Sequence, residues 1–177
     1  MFVVGLSQLV RKPLLELPKE FSIGFHPTKL PKGRGRAAVA WLILGKAPGA
    51  ATFFQMGEGM DDGPILAQEE FYVTDQDYAS DIIKKIIDKA DDCLDDLLPK
   101  MKMGKLECIE QDHSAATYLG KRNPEDGLIF WNDPATKIQR LVRATAEPLP
   151  GAYTYYNGSR IIVRRTEVEI NSKYTGV

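Results

Sequence analysis

The segment from Gly24 to Arg36 constrains the fold of this chain most, because it brings a buried strand to an abrupt end. An apolar run, Phe21 to Phe25, predicts a short strand. Four residues that disrupt regular structure follow it: Pro27, Pro31, Gly33 and Gly35. The sequence therefore predicts a loop that begins at His26. Open α/β sheets keep their chemistry at such strand ends, and histidine exchanges protons near neutral pH, so His26 is a candidate catalytic residue.

A glycine-rich acidic turn, residues 57–64, lies between two strand-like runs, Ala51 to Met56 and Ile65 to Val73. If the sheet places this turn beside His26, one of its carboxylates can fix the imidazole tautomer and stabilise the imidazolium. The residues also fit a plainer interpretation. A histidine before a proline is often only a turn residue, and acidic glycine turns are usually solvated.

The remaining N-terminal elements follow from local patterns. The runs Phe2 to Leu6 and Lys12 to Leu17 predict a strand and a short helix, and Ala37 to Leu44 predicts a helix that is apolar nearly all round and hence buried. Thr74 with Asp77 resembles a capping box that opens a long helix to about Pro99. Its acidic face is expected to be solvated and not to bind a metal.

The C-terminal third begins with a polar, turn-rich stretch, Gln111 to Asn123, which suits a linker. Asp133 and Pro134 then predict the start of a second helix. The Asn157-Gly158 pair predicts a type I′ turn between strands at Tyr153 to Tyr156 and Arg160 to Val168.

Composition narrows the class of protein. The 177 residues are 44% hydrophobic and 27% charged, which is ordinary for a soluble globular protein. No apolar run approaches the ~20 residues of a membrane span, and no basic leader precedes the first strand, so we expect a cytoplasmic protein that does not engage membranes. A net charge of −1 gives no global attraction to nucleic acid. The two isolated cysteines, Cys93 and Cys108, suggest reduced thiols.

Several motifs occur together along nearly the whole chain. The first is His-Pro-Thr-x-Leu-Pro-x-x-Arg-Gly from His26, and the second is Gln-Met-x-Glu-Gly-Met-Asp-x-Gly from Gln55. Arg-Asn-Pro-Glu-Asp-Gly from Arg122 and Pro-x-Pro-Gly-Ala-Tyr from Pro148 follow. This set resembles the formyltransferases that use formyl-tetrahydrofolate, among them methionyl-tRNA formyltransferase and the sugar N-formyltransferases.

The resemblance implies an α/β fold. A Rossmann-like formyltransferase core with a partial, mainly parallel sheet and helices would occupy residues 1–110. A linker at 111–123 and the start of a β-rich C-terminal domain, a helix plus a hairpin at 124–177, would follow. The resemblance also implies that the chain is truncated at both ends and lacks the usual first βαβ half of the core. We therefore expect an exposed sheet edge, with poor solubility or a homodimer as the consequence.

The resemblance also implies a catalytic pair. His26 is expected to act as base or oxyanion partner, and Asp61 to orient it, with Asp62 as the alternative. Gly24 stands where many members have an asparagine that helps to hold the oxyanion. The loss of one such donor typically costs ~10²–10³ in rate, unless a backbone amide or a bound water replaces it.

The expected substrates and their sites follow from the same resemblance. Formyl-tetrahydrofolate is the expected formyl donor, with no metal. Its expected site consists of Gly5, Leu6, Ser7, Leu9, Leu30, Pro31, Gln55, Met56 and Glu58. The side chains expected to bind the acceptor are Thr28, Lys32 and Arg34. The expected acceptor is the amine of a nucleotide-linked amino sugar. One alternative is initiator methionyl-tRNA, supported only by Arg160, Arg164 and Arg165; another is a non-catalytic remnant that binds folate.

Overall fold

A four-stranded sheet forms the centre of the N-terminal part in the computed structural model, which describes residues 1–6 and 8–169. Its strands are β1 (Phe2–Val3), β2 (Ile23–Thr28), β4 (Gly49–Gln55) and β5 (Ile65–Phe71), in the order β1-β2-β4-β5. A short helix, α1 (Lys12–Leu15), connects β1 to β2. A two-residue strand, β3 (Arg34–Gly35), and the buried helix α2 (Ala38–Ile43) lie between β2 and β4.

The α/β fold class is confirmed, but the expected mainly parallel sheet is wrong for these strands. Only β1 and β2 pair in parallel, whereas β2 with β4 and β4 with β5 pair antiparallel. The nine residues from Met56 to Pro64 are too few for the crossover that a parallel pair needs, so β5 returns alongside β4. β1 is one of the two edge strands of this sheet, and its Phe2 is 41% exposed. The expected poor solubility or homodimer stays a prediction.

His26 lies within β2, so the expectation that a loop begins at this residue is wrong. The strand continues through Pro27 to Thr28. The pairing register with β4 shifts between His26 and Thr28, so Pro27 has no paired residue on β4. Proline has no amide hydrogen, and it is tolerated at this irregularity because no hydrogen bond to β4 is needed there. The first loop residue is therefore Lys29.

The long helix α3 (Ala79–Lys102) packs against β4 and β5. It begins later than expected, because Asp81 accepts a hydrogen bond from the Tyr78 amide at 2.9 Å, whereas Thr74 and Asp77 form a separate turn at 2.6 Å before the helix. Pro99 does not end it, since the Met103 amide still donates to the Pro99 carbonyl. Among the described residues, no group of His, Cys, Asp and Glu side chains could hold a metal ion. No described helix is long and apolar enough to cross a membrane.

The segment predicted as a linker packs on the core. Gln111 is buried, His113–Ala115 forms a 3₁₀ turn, and β6 (Tyr118–Leu119) pairs in parallel with β3. Most of its residues are exposed, as the polar composition indicates, but Gln111 and Thr117 form hydrogen bonds with Arg34, Gly63 and Gly33.

The C-terminal helix and the hairpin are present, but the second strand of the hairpin ends at Val163 and not at Val168 as predicted. Helix α4 (Ala135–Thr145) is followed by the hairpin of β7 (Ala152–Tyr156) and β8 (Ser159–Val163). Asn157 and Gly158 have φ values of 48° and 76°, as a type I′ turn requires. The last eight residues of the expected C-terminal domain, 170–177, lie outside the described residues.

Candidate active site

His26 occupies a buried position with an acceptor at each ring nitrogen. Its Nε2 lies 2.8 Å from the Gly33 carbonyl oxygen. Because a carbonyl only accepts, Nε2 carries the hydrogen and donates it. Its Nδ1 lies 3.4 Å from the Asp61 carboxylate oxygen Oδ2. In the neutral ring Nδ1 therefore holds the lone pair, and a doubly protonated ring would have a partner at both nitrogens.

Asp61 reaches His26 from the turn between β4 and β5, as the sequence predicts for this pair. Its backbone is left-handed, with φ of 50°, which is uncommon outside glycine and is held here by contacts on both sides. The amide of Gly35 donates to Asp61 Oδ2 at 2.8 Å, so the carboxylate has a fixed orientation. The Asp62 carboxylate instead lies over its own turn, where a Cβ on Gly59 would overlap it. Asp61, and not Asp62, is the partner of His26.

Two neighbouring clefts meet near this pair. The larger has a volume of about 500 Å³ and includes His26 and Arg36 in its wall. The smaller, about 60 Å³, includes Asp61. Both are bordered by Gly5, Leu6 and Phe25. The larger cleft is within the range of ordinary small-molecule sites, whereas the smaller is far below it.

The wall of the larger cleft combines apolar residues with two guanidinium groups, those of Arg36 and Arg122, and no carboxylate belongs to its described lining residues. Arg122 is held in place: its guanidinium carbon lies 5.0 Å from the Trp41 ring centroid, and its Nη2 donates to the Asp126 carbonyl at 2.8 Å. Trp41 donates in turn to the Gly120 carbonyl. This wall can bind an anionic group, because it contains two cations and no carboxylate is among its described lining residues.

The space beside Gly24, where a side chain would project, is occupied by neighbouring side chains. A Cβ at this position would lie 2.6 Å from Cζ of Phe54 and 2.9 Å from Cγ of Met56. The Phe54 ring thus takes the space into which a longer side chain would project. No side-chain donor for an oxyanion is present at this position.

The predicted donor-site residues divide into two groups. Gly5, Leu6, Leu9 and Met56 line the smaller cleft, together with Gly24 and Asp61. Four others line neither of the two clefts: Leu30, Pro31, Gln55 and Glu58. Leu30, in the loop that follows β2, is buried. Ser7 lies outside the described residues.

Two of the three side chains that were predicted to bind the formyl-accepting substrate lie in the protein interior. The Thr28 side chain is fully buried and donates to the Lys32 carbonyl at 2.7 Å. Arg34 is 1% exposed, and its guanidinium is surrounded by polar groups of the 111–118 segment. Neither side chain can reach a bound substrate, because each is committed to the core. Lys32 is exposed but does not line the larger cleft.

Sequence reasoning did not assign two residues of this region, Gln111 and Arg122, to the site. Arg122 lines the larger cleft and stands first in a motif that the sequence displayed, so the motif could have identified it. Gln111 occurs in a polar stretch with no pattern that distinguishes it from a solvated glutamine.

Comparison with known proteins identifies the family of the chain. A model of the formyl transferase family matches residues 1–98, and a model of the formyl transferase C-terminal domain matches residues 121–176. A 4-N formyltransferase from Francisella tularensis is similar in structure, with a TM-score of 0.79 and 22% identity over 96% of this chain and 71% of that one.

Two further structures share the fold. Methionyl-tRNA formyltransferase from Clostridium thermocellum has a TM-score of 0.71 and 22% identity, over 95% of this chain and 72% of that protein. WlaRD, a sugar 3N-formyl transferase studied with dTDP and 5-N-formyl-tetrahydrofolate, has a TM-score of 0.71 and 19% identity, over 91% of this chain and 58% of its own length.

Proposed function

Because the chain belongs to the formyl transferase family, we propose that it moves a formyl group from formyl-tetrahydrofolate to the primary amine of a nucleotide-linked amino sugar. The observation that carries this proposal is the buried His26–Asp61 pair at the junction of two clefts, one of which presents two arginines. A nucleotide-linked sugar supplies both the amine and the phosphates that such a wall suits.

The geometry at His26 supports a role as proton acceptor. When the amine attacks the formyl carbon, Nδ1 takes the amine proton, and the imidazolium is then held by Asp61 Oδ2 on one side and by the Gly33 carbonyl on the other. The bond between the formyl carbon and its nitrogen in the donor breaks, and His26 returns the proton to that leaving nitrogen. General-base catalysis of this kind contributes about 10²–10⁴ in rate.

The larger cleft is assigned to the acceptor, and the side of the smaller cleft to the donor. The smaller cleft is lined in part by apolar side chains such as Leu9 and Phe54, which a flat pterin ring favours, but about 60 Å³ does not admit that ring. Donor binding therefore requires displacement of the segment that borders this cleft, residues 8–10. Among these, Leu9 is 62% exposed and can move with little loss of contact, whereas the displacement has to uncover buried Val10.

The alternative acceptor, methionyl-tRNA, has less support. The three arginines expected to favour it are engaged within the protein: Arg160 lies over Tyr153, Arg164 pairs with Glu147, and Arg165 lies over Tyr78. A polyanion needs several cations that face solvent together.

The second candidate function is a folate-binding protein without turnover, which is favoured by Gly24 and the ring of Phe54 beside it.

Binding can be tested by tryptophan fluorescence, since Trp41 contacts the cleft arginine Arg122 whereas Trp131 lies on the C-terminal domain. In a Trp131→Phe background, titration with dTDP should change Trp41 emission, and Arg122→Gln should weaken that response. Titration with 5-formyl-tetrahydrofolate should saturate in both proteins. A dTDP response that survives Arg122→Gln unchanged would contradict the assignment of the larger cleft.

Turnover can be tested with formyl-tetrahydrofolate and a panel of dTDP- and UDP-linked amino sugars, with mass spectrometry of the acceptor. His26→Gln and Asp61→Asn should each lower kcat by at least ~10² with little change in unfolding temperature, because both replacements are near-isosteric. Activity retained in His26→Gln would exclude the mechanism. Saturable folate binding without turnover of any amine would favour the second candidate function.

A further inference from the structure

Arg34 is a buried cation without an ionic partner. It is 1% exposed, and among the described residues no carboxylate forms an ion pair with it. Its contacts are neutral: Tyr118 Oη at 3.2 Å, His113 Nδ1 at 3.2 Å, and the side-chain oxygen of Gln111. A buried charge is tolerated only when its hydrogen bonds are made, so the contact with Gln111 is strongly favoured.

The side-chain amide of Gln111 makes four hydrogen bonds, which together fix its orientation. Its Oε1 accepts from Arg34 Nη2 at 2.8 Å and from Nε at 3.2 Å. Its Nε2 donates to the Asp61 carbonyl at 3.0 Å and to the Gly63 carbonyl at 2.6 Å. Guanidinium only donates and carbonyls only accept, so the amide cannot flip without losing all four bonds.

The two carbonyls that Gln111 holds belong to the turn that presents the catalytic carboxylate. Asp61 has a left-handed backbone, which is unfavourable for an aspartate unless its surroundings fix it. Gln111 fixes the backbone of this residue, and the Gly35 amide fixes its side chain. The chain Arg34–Gln111 therefore ends on the backbone carbonyl of Asp61, the residue whose carboxylate oxygen Oδ2 faces His26 Nδ1.

From this arrangement we infer that Gln111 is a positioning residue for catalysis, and that buried Arg34 sets its orientation. The pair acts through Asp61 and touches no substrate. This inference rests on the proposed function for its effect on turnover, but not for its effect on His26.

Gln111→Glu separates this positioning from mere structural support. The glutamate keeps an oxygen for Arg34, and forms an ion pair with it, while its second oxygen faces the Asp61 and Gly63 carbonyls in place of the amide donor. We expect a folded protein whose unfolding temperature stays near that of the wild type but whose Asp61 turn is displaced. Glu110→Gln, at an exposed neighbouring position with the reverse chemical change, is the matched control.

The first readout is the imidazole NMR spectrum, which contains only His26 and His113. The His113→Gln variant assigns the two sets of signals. We expect Gln111→Glu to shift the His26 ring resonances, and Glu110→Gln to leave them unchanged. His26 resonances that stay in place in folded Gln111→Glu would overturn the inference. Should Gln111→Glu fail to fold, Gln111→Met, which has similar length and no amide, is measured in the same way.

The second readout is kinetic. A displacement of about 1 Å in a catalytic group can cost ~10² in rate, so kcat should fall by about 10- to 100-fold in Gln111→Glu while KM for formyl-tetrahydrofolate stays within about twofold. Unchanged kcat would overturn the inference. The NMR result needs no substrate, so a protein that turns over no amine fails the proposed function while the His26 signals still decide the role of Gln111.

Discussion

Alanine at Gly24 should destabilise the protein through a steric conflict that involves mainly the Phe54 ring, since the other close atom, Met56 Cγ, belongs to a flexible side chain. The added Cβ would lie 2.6 Å from Phe54 Cζ and 2.9 Å from Cε1, whereas carbon atoms in contact are separated by ~3.5–4.0 Å. The ring must therefore move by roughly 1 Å in a buried site. Overpacking of this kind costs about 1–3 kcal/mol. Replacing glycine recovers about 0.4–1 kcal/mol from the unfolded state, because Gly24 needs no positive φ.

The expected net loss is therefore about 1–2 kcal/mol in the free energy of unfolding, measured by urea denaturation. A double-mutant cycle with Phe54→Leu identifies the cause, since leucine lacks Cε1 and Cζ. In the Phe54→Leu background, Gly24→Ala should be neutral or slightly stabilising. The coupling between the two positions should then be about 1–2 kcal/mol in favour of the double variant.

An equal cost of Gly24→Ala in both backgrounds, or a cost below about 0.5 kcal/mol, would refute this reasoning. The result also decides how the missing asparagine can be restored. Gly24→Asn alone would combine any gain in oxyanion binding with displacement of Phe54. The comparison of Gly24→Asn/Phe54→Leu with Phe54→Leu separates the two effects, and a rate gain only in that pair would show that no other donor fills the role.

Two further predictions concern titrating groups. Burial raises the pKa of Asp77, but the hydrogen bond from Lys85 and those from Thr74 outweigh it, so its folded pKa lies below 3.8. Asp77 therefore contributes stability that is complete above pH 3.8 and is lost as the pH falls through the folded pKa. In Asp77→Asn, the unfolding temperature should depend less on pH over this acidic range. Burial raises the pKa of Cys93 to about 11. Iodoacetamide at about pH 8 should therefore modify exposed Cys108 in the native protein and Cys93 only in denaturant, as peptide mass spectrometry can measure; equal native rates would contradict this.

Local patterns predicted the elements whose hydrogen bonds and packing are local. The apolar spacing from Ile82 to Leu97 predicts α3, and the Asn157-Gly158 pair predicts the hairpin and its turn type. The pair of His26 and Asp61 was predictable for a different reason, because each occurs in a motif of the resembled family. The helix start at Tyr78 was missed, since Asp77 and Asp81 both offer a carboxylate three residues from an amide and only packing selects between them.

The position of His26 within a strand could not be read from the sequence. Proline normally argues against a strand position, and the register shift between His26 and Thr28 that admits Pro27 depends on the partner strand β4. This difference has a consequence for the site. A strand fixes the His26 backbone on both sides, so its ring is held more firmly than a loop residue would be.

The burial of Arg34 and the contacts of the predicted linker, 111–123, could not be read from the sequence for one physical reason. An arginine between glycines in a proline-rich loop is usually exposed, and a polar, turn-rich stretch is usually solvated. Here the segment supplies the partners of the buried Arg34 guanidinium: Gln111, His113 and Tyr118 lie 77 to 84 positions further along the chain, and of these three only Gln111 is itself buried. A buried cation needs polar neighbours, so the composition that indicates a linker is also the composition that such a site requires. Only the pairing of β3 with β6, which brings the segments together, distinguishes the two cases.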